Sequence, residues 1–474
     1  MIEFDGEISV ADIVSVARDH EHPVVPDATR QRVRHMHDHA QELAARVPTY
    51  GRTTGVGANR TTSVDTTDAE HGLRLLRSHA IDAGNPLPAV AVRAMLAVRL
   101  AQLSIPGSGI QVDILDGVQR MLDTDALPTV LEFNSVGTAD LAALAGTALT
   151  LMGERPATAP LQPMPRWSTD SALPFMSSSA LTIGRACLVI DELRALSRAS
   201  IVVFGLSFTA LRGNPSPFSQ AAAIAGASPQ LVPTCATLRT IVGDADQPAR
   251  IQDPYALRAF PLTLAPAADA LDQLETIVIA LTNTAQENPL FTNDAVIHHG
   301  GFHQVALALK ADTLAIALAA QTPVTLSRIR LMSEPDYTGM RPFLAAGQPG
   351  SSGIMMVEYV AGAAIGDLHA SAQPASLTTV SLSRGTEEDA SFAPLAISQL
   401  ERSVRALRIL LACEALIAVR VLRQQGASAA DLPSETLASA WNVLQELPAD
   451  DHDRDLRPDL ELAQNLLDRL GDLV

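Results

Sequence analysis

Along most of this chain apolar residues recur at every third or fourth position, the spacing of one helix face and not the alternation of a strand. Two amphipathic stretches, ADIVSVARDH and RVRHMHDHAQELAARV, lie in the first fifty or so residues. Between Glu70 and Leu103 two more helical patterns flank Gly84-Asn85-Pro86, and ILDGVQRMLD predicts another that stops before Pro128. The stretch LAALAGTALTLMGE is apolar nearly all round, as a helix buried inside a bundle is. After a Pro-rich connector, Pro156 to Pro174, ALTIGRACLVIDELRALSRASIVVFGLSFTALRG keeps helical spacing until GNPSPFSQ breaks it. Three long patterns dominate the second half: PAADALDQLETIVIALTNTAQE, FHQVALALKADTLAIALAAQTPVTLSRIRLM and SQLERSVRALRILLACEALIAVRVLRQQG. The chain therefore predicts a mainly α fold, a long-helix bundle with a smaller N-terminal region. The boundaries expected are 1–170 for that region, 171–440 for the bundle and 441–474 for a short helical tail.

Composition narrows this picture. The 474 residues are 47% apolar but only 4% aromatic, so the core must be built from Ala, Leu, Val and Ile. A formal charge of -18 argues against a nucleic-acid partner, whose binders carry a basic footprint. Cys187, Cys235 and Cys413 are far apart and form no CxxC pair, which points to a reducing, cytoplasmic setting. The start of the chain carries Glu and Asp where a secretory signal puts positive charge. No uninterrupted apolar run reaches the roughly eighteen residues of a membrane span, and Ile190 to Phe208 is broken by four charges. No metal is expected: His299 and His303 have i,i+4 spacing without the H-E-x-x-H pattern. The histidines at 20, 22, 35, 37 and 39 read as a surface cluster.

Several short segments then fall in a telling order. Tyr50-Gly51-Arg52-Thr53-Thr54-Gly55-Val56-Gly57 comes first, followed by Arg77-Ser78-His79-Ala80 and by Ser135-Val136-Gly137 with Asp140-Leu141-Ala142. Gln252-Asp253-Pro254-Tyr255-Ala256-Leu257-Arg258, Asn288-Pro289-Leu290, Gly300-Gly301-Phe302-His303, Ser352-Gly353-Ile354-Met355 and Glu387 complete the series. Taken together from residue 35 to about 425, the chain resembles the histidine and aromatic amino acid ammonia-lyase family. The resemblance implies an ammonia-lyase-like bundle, a homotetramer, and active sites made by several subunits with loops from the N-terminal region. Typical members eliminate ammonia from histidine, phenylalanine or tyrosine through a methylidene-imidazolone made from an Ala-Ser-Gly tripeptide of their own backbone.

Against that pattern the chain departs at the centre. Where the family has SVG-ASG-DLA, this sequence reads Gly137-Thr138-Ala139-Asp140, with Thr138 and Ala139 as a degenerate cofactor loop. Ser177-Ser178-Ser179 stands where the family places an Asn before Gly-Thr, Gly301 replaces another Asn, and Glu358 replaces a Gln. The expectation from these departures is an enzyme without any cofactor.

The roles carried over are these. Tyr50 aligns with the family's catalytic tyrosine, and its alternative is a loop anchor. Arg258 aligns with the arginine that binds substrate carboxylate, which a planar guanidinium does well, with a salt bridge to Asp253 as the alternative. Tyr255 donates to the substrate or lines the pocket. His79 relays a proton or tunes Tyr50, or is a satisfied buried histidine, and His303 reads as structural. Glu387 is a general acid or base if burial raises its pKa, or else pairs with a cation. Phe175 and Ser177 line an apolar part of the substrate pocket. The function expected is a cofactor-independent lyase, dehydratase, isomerase or cyclase, using acid–base chemistry on a small carboxylate- or carbonyl-containing specialised metabolite. The alternative is a non-catalytic binder or scaffold in a biosynthetic assembly.

Overall fold

A computed structural model describes residues 1–65, 67–244 and 248–474. The helices begin where local chemistry starts them. Val10–Arg18 opens on a capping box, in which the Asp12 amide donates to Ser9 Oγ and the Ser9 amide returns a bond to the Asp12 carboxylate. The other early helices are Asp27–Ala44, His71–His79, Ala89–Ser104, Asp113–Thr124 and Leu141–Leu151. The long ones are Ala180–Ala210, Phe260–Thr282, Val305–Ser333 and Ala393–Gln424, matching the four long periodic stretches. Met355–Ser371 is a further helix, hidden from a periodicity reading because Met, Ala, Val and Gly surround it without a polar face. The strands described are three two-stranded pairings, such as Ala83–Pro86 against Leu131–Phe133. The fold is thus the mainly α helical bundle that the sequence predicts.

Two compact units divide the chain. The first comprises 1–191, 274–312 and 374–398. Its centre is the Ala89–Ser104 helix, buried on every side from Ala91 onward. Full burial brings two arginines inside, and each is satisfied. Arg93 donates to the Val16 and Leu122 carbonyls and to Asp125. Arg99 donates to the Phe175 carbonyl at 2.9 Å and to Glu287 Oε1 at 2.8 Å, both side chains being wholly buried.

The second unit comprises 192–273, 313–373 and 399–474. Its core stacks Phe204 on Phe260 with centroids 4.2 Å apart, and the Arg328 guanidinium lies over both rings. Arg328 donates twice to Glu414, at 2.6 and 2.9 Å, and Ser207 donates to the same carboxylate. By length and hydropathy alone, Thr169–Ala210 and Val305–Ser333 are long enough to cross a membrane. The apolar window of the first is entirely buried in protein and that of the second is half buried, as core helices are.

Candidate active site

The first unit assembles its candidate site from loops. Tyr50 begins a tight loop in which Gly51 (φ +74°) and Gly57 (φ +55°) take left-handed conformations. The Gly57 amide donates to the Tyr50 hydroxyl at 2.6 Å, closing the loop on its own first side chain. Ser383 lies against the same turn, its Oγ accepting from the Ala58 amide at 3.0 Å. Arg60 donates to Thr386 Oγ1 at 2.8 Å, a second tie between the two loops. A run of positive φ at Ser383, Arg384 and Gly385 turns the chain so that Leu382 and Glu387 pair through their backbones. The Glu387 carboxylate is near enough for its charge to act on the Tyr50 phenol. Burial pushes the Tyr50 hydroxyl above its ordinary value, the Gly57 amide opposes this, Glu387 adds to the rise, and Arg60 opposes it. No ion pair holds Glu387 among the described residues.

His79 ends its helix with Nδ1 donating to the Leu75 carbonyl at 2.9 Å, which leaves Nε2 as the acceptor nitrogen. No direct hydrogen bond joins it to Tyr50 among the described residues. The loop at Thr138 is held on both sides. Ser391 Oγ donates to the Gly137 carbonyl at 2.9 Å, and the Phe392 amide donates to the Val136 carbonyl. Thr138 bridges to His303 through the backbone, and His303 Nε2 lies 3.6 Å from Asp389. Ala139 is buried with φ +70°, and its carbonyl accepts from Ser135 Oγ at 3.0 Å.

Asp140, fully buried, receives the amide and hydroxyl of Thr182 at the start of the Ala180–Ala210 helix. Its amide donates to the Ser178 carbonyl at 2.8 Å. Burial raises its pKa, against those hydrogen bonds and Arg185. Ser177 Oγ accepts from the Asn288 amide at 3.3 Å, and Phe175 is fully buried, edge-on to Trp167 at 5.2 Å. Beside them Ser179 Oγ, Gln286 Nε2 and Glu287 Oε2 are buried without a hydrogen-bond partner. Sequence reasoning passed over Gln286, Glu287 and Arg99, because a buried polar pair leaves no mark on a periodic pattern. The sequence offered only a charged residue inside an otherwise apolar helix.

Tyr255 and Arg258 belong to the second unit. Tyr255 is 68% exposed, and the Arg258 guanidinium stacks on its ring at 4.3 Å. Arg258 Nε donates to the Asp253 carbonyl at 2.8 Å, while the Asp253 carboxylate is taken by Arg250 and the Asn214 amide. The Asp253 salt bridge is therefore made by Arg250, and neither Nη group of Arg258 has a hydrogen-bond partner among the described residues. A cavity of about 710 Å³ in the first unit is lined by Arg52 and His71 and not by Tyr50, His79, Glu387 or Ser177. The candidate chemistry therefore rests on the loops and not on that cavity.

The family model for aromatic amino acid lyases matches residues 8–446. The chain belongs to that family. Over essentially its whole length it is 30% identical to the histidine ammonia-lyase of Myxococcus xanthus, with 100% of this chain and 97% of that one aligned. It is 29% identical to a probable histidine ammonia-lyase of Thermoplasma acidophilum, with 99% and 98% aligned. In fold it is similar to a tyrosine aminomutase from Streptomyces globisporus, at TM-score 0.92, 24% identity and coverage of 100% and 97%.

These matches correct the functional expectation. A cofactor-independent dehydratase, isomerase or cyclase, without methylidene-imidazolone and outside the ammonia-lyases, is not what an end-to-end likeness to histidine ammonia-lyases supports. Nor does it support a non-catalytic scaffold. They support an enzyme of the ammonia-lyase and aminomutase type. The departure at 137–140 is confined to one short loop. The family's helices and matched segments persist through nearly the full sequence.

Proposed function

We propose that the chain is an ammonia-lyase or aminomutase-type enzyme acting on an α-amino acid with an aromatic or imidazole side chain, and a family member divergent at the loop 137–140. The observation that carries this reading is the closed Tyr50 loop, whose half-buried phenol is fixed by the Gly57 amide and feels the Glu387 charge. Once deprotonated, a phenolate so held is placed to take a β-proton, as stereospecific elimination requires. The electron pair left on the β-carbon forms the new double bond as the amino group departs; in an aminomutase the amine returns to the β-carbon.

Other residues take positioning roles. The free Nη groups of Arg258 suit a substrate carboxylate, and exposed Tyr255 suits a second contact to it. Ser177 and Phe175 bound the apolar side of the pocket. His79, with Nδ1 committed to Leu75, offers Nε2 as a proton acceptor. The exposure of Tyr255 supports a homotetramer in which one copy supplies this pair to another copy's Tyr50 loop. Three buried, unpaired cysteines support a cytoplasmic setting.

Divergence at the loop rests on the residues themselves. A methylidene-imidazolone needs a serine hydroxyl to leave and a glycine nitrogen to attack. The loop offers Thr138 and Ala139, and Ala-Ser-Gly occurs nowhere in the chain. The next nitrogen, the Asp140 amide, is committed to the Ser178 carbonyl.

Incubation with L-histidine, L-phenylalanine and L-tyrosine tests the proposal, with ammonia, unsaturated acid and β-amino acid measured by chromatography. Product from at least one, abolished in Tyr50→Phe, is the expected result. Absence of all three products from every substrate would overturn it.

A further inference from the structure

The 710 Å³ cavity lies on one side of the Tyr50 loop and is lined by Arg52, Thr54, Ser63, Asp65, His71 and Asp170 among others. Its volume falls in the range of small-molecule sites. Arg52 is the unusual group. Its side chain is only 5% exposed, its guanidinium stacks on Phe291 at 4.4 Å, and one nitrogen donates to the Gly109 carbonyl at 2.9 Å. Its Nε and Nη1 have no hydrogen-bond partner, and neither has His71 Nε2. A buried guanidinium with open donors is costly unless something accepts from it.

The carboxylates of the wall are already occupied. Asp170 stands 3.5 Å from Arg52 Nη1 and accepts from Gln41, Ser168 and Ser171. Asp68 accepts from Arg74 and the Glu70 amide, and Asp65 accepts from Thr67. What the cavity lacks is an acceptor, beside Arg52 and His71. Asp65, Asp68 and Asp170 against Arg46 and Arg52 leave the lining formally negative. A phosphate or other polyanion would meet those aspartates, and a simple amine would leave the guanidinium unmatched. A molecule with a carboxylate at one end and an ammonium at the other matches both.

We infer that this cavity is a second, non-catalytic binding site for a zwitterionic amino carboxylate, its carboxylate on Arg52 and His71 and its ammonium toward Asp65 and Asp68. Arg52 is two residues from Tyr50 in the same turn, and its amide donates to the Thr49 carbonyl. Occupancy therefore stiffens the segment that carries the phenol, making the site an effector site for the reaction.

Isothermal titration calorimetry of the full chain with L-phenylglycine tests this, because that amino acid has no β-hydrogen and cannot undergo elimination. Benzylamine and phenylacetate, each lacking one charge, are the paired controls. Arg258→Gln, which weakens the proposed substrate site, is expected to retain the L-phenylglycine binding of this cavity, with both controls weaker by about tenfold or more. Arg52→Gln is expected to lose a similar factor. Because that change also removes the Gly109 bond, Ser63→Trp, which fills the cavity from an exposed position, provides an independent loss of binding. Undetectable binding to wild type, binding in Arg258→Gln that Ser63→Trp leaves unchanged, equal binding of benzylamine, or loss of all binding in Arg258→Gln would each overturn the proposal.

Discussion

The backbone amide of Gly57 donates to the hydroxyl of Tyr50 across seven residues at 2.6 Å, so the loop is fastened by its own reactive side chain. That bond, with Arg60, favours the phenolate, while burial and the Glu387 charge favour the phenol more strongly. The Tyr50 hydroxyl is therefore held above the ordinary value of a tyrosine, burial being the largest cause. A reaction that needs the phenolate gains rate as pH rises.

The expected profile of kcat/KM climbs about tenfold per pH unit on its alkaline side and levels at higher pH than an unperturbed tyrosine would allow. In Glu387→Gln the neighbouring negative charge is gone, the Tyr50 pKa falls, and levelling moves to lower pH. Tyr50→Phe should lower kcat by about 10²–10⁴ and abolish the limb. A Glu387→Gln profile displaced upward, or unmoved, would remove Glu387 from the proposed site.

How far these residues could be read in advance differs by type. The four long helices were legible because their periodicity extends over many turns, and Tyr50 stood out only because its segment resembles the family's. Met355–Ser371 was not, since small apolar residues on all faces leave no stripe. The tie between Tyr50 and the Ser383 turn was also illegible. It joins residues more than 320 positions apart, through left-handed backbone at Ser383 and Arg384 that no propensity favours.

Gly137 and its neighbour Ala139 make a paired stability prediction. Gly137 has φ +96°, and a Cβ there would stand 2.2 Å from Ser391 Oγ. Gly137→Ala should destabilise by about 1–3 kcal/mol through strain and the displaced serine. Ala139, at φ +70°, already bears the left-handed cost, so Ala139→Gly should be neutral or stabilising by up to about 1 kcal/mol. Denaturant melts of both variants decide this, and a large loss from Ala139→Gly would contradict the loop conformation.

Arg99 and Glu287 test the buried network. Burial drives the Glu287 carboxyl up and the Arg99 guanidinium down, each opposed by the other's charge. Removing one partner strands the other, so Glu287→Leu should cost about 3–5 kcal/mol. Arg99→Met combined with Glu287→Leu should recover much of that loss, because no unpaired charge remains. Urea midpoints of the three proteins give the coupling, and additive losses would show that the ions do not act as a pair.

The proposed sharing of sites between copies gives a prediction that stability cannot mimic. Tyr50 and Arg258 lie in different units, so two inactive variants can repair one another only if a working site draws them from different chains. Tyr50→Phe and Arg258→Gln are each expected to be nearly inactive alone. Co-expressed in equal amounts, a site is complete when the copy offering Tyr50 and the copy offering Arg258 are both intact there. Random mixing gives about one quarter of wild-type activity. If both residues of a site came from one chain, no mixed assembly would contain an intact site, and activity would stay at the level of the separate variants. Light scattering on the same samples separates failure to complement from failure to assemble. Full complementation absent from a well-formed oligomer would place Tyr50 and Arg258 in the same copy's site.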